Sequence, residues 1–167
     1  MGTRSYIAKQ IGANNYRTIY CQLDGYPSYL GMLLIDHYNT VEMVDKLLDL
    51  GDIYALKSKL EPDANQPHDF LNKQKDVTLA FSRDFNEEGF DASIKTLEEL
   101  DENWEIEYVY IFTQENKWKY FAVGELDEGL RDLEETVNHI KTGEGEDDES
   151  LYEGEDEDIE EIGGINY

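Results

Sequence analysis

The residues best suited to chemistry gather at one sharp corner, Asp24-Gly25-Tyr26-Pro27-Ser28-Tyr29. It sets a carboxylate and two phenols in close succession, with Tyr20 and Tyr38 near enough to join them. Arg4, Arg17 and Arg83 are the arginines that fall on expected strands. If they converge with Lys9 on one sheet face behind the corner, the pocket could hold a small anion or a nucleotide, with Asp24, Tyr26 and Tyr29 as its polar and aromatic contacts. The competing reading is structural. Tyrosine rings also pack turns onto helices, and strand arginines commonly pair with surface carboxylates.

Other chemistry finds little support. Cys21 shares a strand face with Ile19 and Leu23, which suits a small buried hydrophobe better than a nucleophile. His37, His68 and His139 are far apart and show no i, i+4 pairing for a metal. Asp147, Asp148, Asp156 and Asp158 lack the central glycine and terminal glutamate of a calcium loop. There is no G-x-S-x-G elbow, and the glycines are too sparse to cradle a phosphate. Glu98-Glu99, Asp101-Glu102 and Glu134-Glu135 read as solvated helix faces. The sequence therefore names no catalytic residue, no metal and no cofactor.

Charge says more. The chain of 167 residues has 39 acidic and 14 basic side chains, a formal charge of −25. From residue 142 onward there are 12 acidic and no basic residues, leaving 27 acidic against 14 basic in the body. Such a molecule repels nucleic acid and anionic membrane and attracts a basic partner. The tail is low in complexity and like-charged, so it is expected to be disordered. Its apolar tip sets Ile159, Ile162 and Ile165 beside Asp156 and Asp158 and ends on Tyr167. That arrangement resembles, in kind, the terminal peptides by which DNA-maintenance proteins recruit partners. One cysteine fits a reducing cytoplasm, and neither a signal peptide nor a membrane-spanning run is visible.

The elements that must position these residues follow from periodicity. Strands are expected at 4–10 and 16–23 around a turn at Gly12-Asn15, at 76–83, at 104–112 and at 118–123. Helices are expected at 29–38, at 41–50 behind a Thr40 cap, at 53–60, at 92–101 and at 125–141. The sum is one α+β domain over 1–141, a largely antiparallel sheet of about five strands with helices packed on it, followed by the acidic tail over 142–167.

Several of these stretches also carry a resemblance. Gly2-Thr3-Arg4-Ser5-Tyr6-Ile7, then Tyr20-Cys21, Asp24-Gly25-Tyr26-Pro27, Gly31 and His37-Tyr38, are similar to the opening of a family of small phage and bacterial proteins. In that family the pattern is G-T-R-S-x-I, then Y-C-H-W-D-G-Y-P. Here Gln22 and Leu23 stand where the family has His and Trp. Ala80 to Asp84, Glu107 to Phe112 and Trp118 extend the likeness, which covers residues 1–122 or so. The resemblance implies a phage or prophage origin and assigns no activity.

Two functions stay open at this point. One is a non-catalytic acidic binding protein, an inhibitor or nucleic-acid mimic directed at a basic host protein such as a nucleic-acid or defence enzyme. The other is a small-ligand or nucleotide-binding domain, or an enzyme, built on the Asp24–Tyr29 corner and the sheet arginines.

Overall fold

The computed structural model describes residues 2–143. The expected docking tip of the tail, Asp156 to Tyr167, lies outside the described residues. A tight turn at Ala13-Asn14 folds β1 (Ser5–Gly12) back on β2 (Asn15–Cys21) as an antiparallel hairpin. On its other side β1 pairs with β6 (Tyr108–Phe112), in parallel, with Ile7 opposite Tyr110. Asn116, at φ 62°, then turns the chain into β7 (Trp118–Ala122), antiparallel to β6.

Short strands extend the sheet. β3 (Ile53–Ala55) lies parallel to β2, and β4 (Leu79–Ala80) lies antiparallel to β3. β5 (Ser93–Lys95) pairs with β2 as well, and β8 (Arg131–Asp132) with β7. The path is β4-β3-β2-β1-β6-β7-β8 with β5 branching from β2, an eight-stranded mixed sheet in an α+β fold. The helices are α1 (Met32–His37), α2 (Val41–Asp49), α3 (Phe81–Asp84), α4 (Leu97–Glu102) and α5 (Leu133–Lys141).

Period-2 alternation divides the core between the two sheet faces. Ile7, Ile19, Cys21, Tyr110, Phe112 and Tyr120 meet Leu34 of α1, Val44, Leu47 and Leu48 of α2, and Leu133 and Val137 of α5. Ala8, Val109, Ile111 and Phe121 face the other way, against Leu100 of α4 and Ile106. Full burial of each large aliphatic side chain is worth about 1.5–3 kcal/mol, so the three buried residues of α2 hold that helix down. Thr40 caps it by accepting the Met43 N–H at 3.2 Å. Lys9 and Arg17, cross-strand neighbours, reach Asp45 at 2.8 Å and Asp49 at 2.9 Å, one helical turn apart on α2.

The sheet is thus larger than the expected five strands, and although most of its pairings are antiparallel as expected, two are parallel, which makes it mixed. The central β1–β6 pair is parallel, which needs a long crossover that local patterns do not reveal. The stretch 53–60 is not helical. Gly51, at φ 79°, redirects the chain, and Ile53 and Ala55 are buried to one side as a strand. The expected strand at 76–83 shrinks to Leu79–Ala80 and turns into α3 at Phe81.

The expected helix at 92–101 begins only after Thr96, whose capping box with Glu99 starts α4, while Ser93–Lys95 is strand. Gly129, at φ 91°, interrupts the expected helix at 125–141, so α5 begins at Leu133. At 29–38 a π-helical turn, Pro27–Gly31, precedes α1. The strand at 104–112 starts at Tyr108, leaving Trp104 outside it. Helices also cover both faces, because α4 packs opposite α1, α2 and α5.

Candidate functional site

The Asp24–Tyr29 corner is fastened from below. Asp24 is the residue that takes the left-handed conformation, at φ 55°, which aspartate tolerates better than most side chains. Gly25 is needed for a different reason: a Cβ there would lie 2.5 Å from Ser5 Oγ and 2.9 Å from the Thr3 carbonyl oxygen. Its N–H donates to that carbonyl at 2.9 Å, and its own carbonyl accepts the Tyr110 hydroxyl at 2.6 Å. Tyr26 and Tyr29 set their rings 6.3 Å apart in a tilted pair. Lys57 Nζ donates to the Tyr29 hydroxyl at 3.3 Å and lies over its ring. Asp24 adds to the rise of the Tyr54 phenol, whose main cause is burial. Tyr38 is drawn fully inside, where it donates to the Lys57 carbonyl, and burial pushes its phenol up to about 12.

The three arginines do not meet. Arg17 lies on the α1–α2 side of the sheet, bound to Asp49. Arg4 bonds the Tyr20 hydroxyl region from the opposite face, partly countering the effect of burial on that phenol. Arg83 sits on α3, forked onto Asp84 at 2.8 and 3.0 Å. Two further bonds carry it to the Leu60 and Thr78 carbonyls. His68, which shows no sequence signal, joins that assembly: Nδ1 accepts the Gln74 N–H at 3.1 Å, so Nε2 donates to the Thr78 carbonyl at 3.0 Å. Both His68 and Asp84 are buried, and together they pin the polar stretch 61–75 to the sheet edge. Cys21 is fully buried, and burial pushes its thiol up to about 12, which removes it as a nucleophile at neutral pH.

A different surface has the features of an interface. Asn103 closes α4: its carbonyl accepts the Ile106 N–H at 3.0 Å and its Oδ1 accepts the Glu105 N–H at 3.0 Å. This turn buries Ile106 and throws Trp104 outward, 80% exposed. The indole lies against Gly124, where a Cβ would come within 3.3 Å of the ring. Asp101 fixes the same place by accepting the Gly124 N–H at 2.7 Å. Around the indole the chain supplies Glu98, Glu99, Asp101, Glu102, Glu105 and Glu107 with no basic residue among them. Across Gly124 come Glu125, Asp127 and Glu128, all exposed, with Arg131 lying 3.7 Å from Glu125 and 4.0 Å from Glu128. Strand alternation hid this surface from the sequence, because it places Trp104 in line with Ile106 and Tyr108.

Among the described residues no cluster of histidine, cysteine, aspartate and glutamate suits a metal ion, and no helix is long and apolar enough to cross a membrane. Comparison of the chain with protein-family models, with curated proteins and with solved structures finds no match.

Proposed function

We propose that this is a non-catalytic binding protein whose α4 face docks a basic protein. The observation that carries the proposal is Trp104, a large amphipathic ring exposed at the centre of a carboxylate field. Tryptophan is the residue type most enriched at interface hot spots, and a surrounding charge of one sign steers an oppositely charged partner. In its finer form, the proposal makes the protein phage-encoded and acting in the host cytoplasm. Its carboxylates then stand in for phosphates and inhibit a host nucleic-acid or defence enzyme. The net charge of −25 and the resemblance of the opening strands to phage and bacterial proteins support that form.

The test is affinity capture from bacterial lysate at low and high salt, with the full chain, with a chain ending at Lys141 and with Trp104→Ala. A basic nucleic-acid-binding protein should be captured at low salt and displaced by added DNA. Trp104→Ala should then weaken the purified pair by about 2 kcal/mol, roughly 30-fold. Capture that is insensitive to both salt and Trp104→Ala overturns the proposal.

A further inference from the structure

The outer edge of β2 changes partner along its length, β5 covering Tyr16 to Thr18 and β3 joining at Cys21. Between them the Tyr20 N–H is met by a side chain, Asp52 Oδ1, at 2.9 Å. The two covering elements leave a cleft of about 300 Å3 whose lining includes Tyr6, Thr18, Tyr20, Asp52, Asp91 and Lys95. Its frame is fixed. Asp52 N–H donates to the Phe90 carbonyl at 2.7 Å, and the Asp52 carbonyl accepts the Phe81 N–H at 3.2 Å. Gly51, at φ 79°, stands so close to the Phe90 carbonyl that a Cβ would collide with it.

The cleft has a definite chemistry. It holds two carboxylates against one ammonium, and that ammonium, Lys95 Nζ, lies 5.7 Å from the Tyr6 ring centre. Asp52 forms no ion pair among the described residues, and its hydrogen bond to Tyr20 occupies Oδ1 alone. Burial holds its carboxyl above the ordinary range, opposed by the Tyr20 N–H and Lys95 and reinforced by Asp91. The cleft also abuts the α4 face: Asn103 Nδ2 donates to the Tyr6 hydroxyl at 3.0 Å, one residue before Trp104, and among charged groups Tyr20 is acted on by Arg4 first and by Glu105 less strongly. Two tyrosine rings and a carboxylate with an open oxygen suit a planar cation. Guanidinium stacks on aromatic faces and forks onto carboxylates, as ammonium does not. The volume, at the lower end for ligand pockets, suits one side chain rather than a cofactor.

We infer that the Asp52 cleft receives a single arginine side chain from the basic partner that docks on the Trp104 face. The inference rests on that docking. The test is NMR of the full chain with two probes, N-acetyl-L-arginine amide and a deca-arginine peptide, on the parent, Asp52→Asn and Trp104→Ala. Asparagine keeps the acceptor for the Tyr20 N–H, so the variant removes the charge and the open acceptor oxygen while leaving that bond in place.

The arginine amide should give saturable shifts at the Tyr20, Asp52 and Ser93 amides, at least tenfold weaker in Asp52→Asn, unchanged in Trp104→Ala, and weaker for N-acetyl-L-lysine amide. Equal shifts in the parent and Asp52→Asn overturn the cleft. So does deca-arginine that moves the Trp104 indole and leaves Tyr20 and Asp52 still, a result that preserves the docking face. Cleft shifts lost in Asp52→Asn, with no response of the Trp104 indole to deca-arginine, would support the arginine site while removing the docking face.

Discussion

Replacing Tyr110 by phenylalanine isolates the bond that ties the Asp24–Tyr29 corner to the sheet. Tyr110 is fully buried, and its hydroxyl donates to the Gly25 carbonyl at 2.6 Å. The ring survives the substitution, together with its stack on Tyr120, centroids 5.9 Å apart. Only the hydroxyl is lost. A net hydrogen bond is worth about 1 kcal/mol, and a buried carbonyl left without its donor costs about 1–3 kcal/mol. The expected destabilisation is therefore about 2–3 kcal/mol, or about 6–9 °C in Tm at about 3 °C per kcal/mol for a domain of this size. Tyr120→Phe is the internal control. Its hydroxyl meets Thr136 Oγ1 at 3.0 Å in a part-buried place where water can substitute, so it should cost under about 1 kcal/mol. Urea unfolding followed by tryptophan fluorescence measures both, provided the m-values agree. Equal costs for the two variants would refute the reasoning: the corner would then not be fastened to the sheet, and a ligand pocket there would regain its claim.

Three further outcomes follow from buried or strained groups. Cys21 should resist a thiol reagent in the native protein at neutral pH and react fully after denaturation, since burial lifts its thiol to about 12; rapid native labelling would contradict the packing. Asp52→Asn should stabilise the fold at neutral pH. The folded state raises the Asp52 pKa, so its favourable contribution is complete below the unfolded value of about 4 and is lost as pH rises through the folded value. Asparagine suffers no such loss, whatever Lys95 and Asp91 do beside it, so melts of the two proteins should converge in acid and separate at neutral pH; a variant that melts lower at neutral pH would refute this. Gly51→Ala should cost at least about 2 kcal/mol, from the positive φ and from collision with the Phe90 carbonyl, as read by denaturant unfolding. A neutral result would mean that the frame of the cleft yields.

What the sequence made legible was what is local. Thr40 before an amphipathic run located α2, and the β1–β2 and β6–β7 hairpins followed from alternation across turn residues. Ile53, Leu56 and Leu60 have helical spacing, yet the backbone turns at Gly51 and buries Ile53 and Ala55 in a strand, a choice made by the partners β2 and β4. Leu126 and Leu130 likewise continue the period of α5, but Gly129, with φ 91°, falls between them, and Arg131–Asp132 is a strand before the helix begins. The sites were harder still. Tyr6, Asp52 and the Asp91–Lys95 stretch are far apart in sequence and meet only because β2 shares its edge between two strands. Trp104 lost its place on a strand because Asn103 forms a turn, and nothing in the spacing distinguishes the two. The sequence did identify Cys21 as a small core residue.

The distribution of ion pairs argues for a surface built to stay charged. Cations on the α1–α2–α5 side are matched to that side's carboxylates: Lys9 to Asp45, Arg17 to Asp49, Lys141 to Asp36. On the α4 side Arg131 meets Glu125 and Glu128 across Gly124, but the α4 segment itself follows another rule. From Glu98 to Glu107 the bonds that hold carboxylates in place come from neutral donors: Asn14 for Glu98, the Thr96 N–H for Glu99, the Gly124 N–H for Asp101. Neutral donors orient a carboxylate without cancelling its charge, and the Asn14 bond holds Glu98 below its ordinary pKa. A surface optimised only for stability would gain by placing lysines among these groups, because like charges at i, i+4 and i, i+3 repel. Leaving the repulsion in place, around an indole that the fold exposes, makes sense if a cationic partner supplies the missing charge on binding.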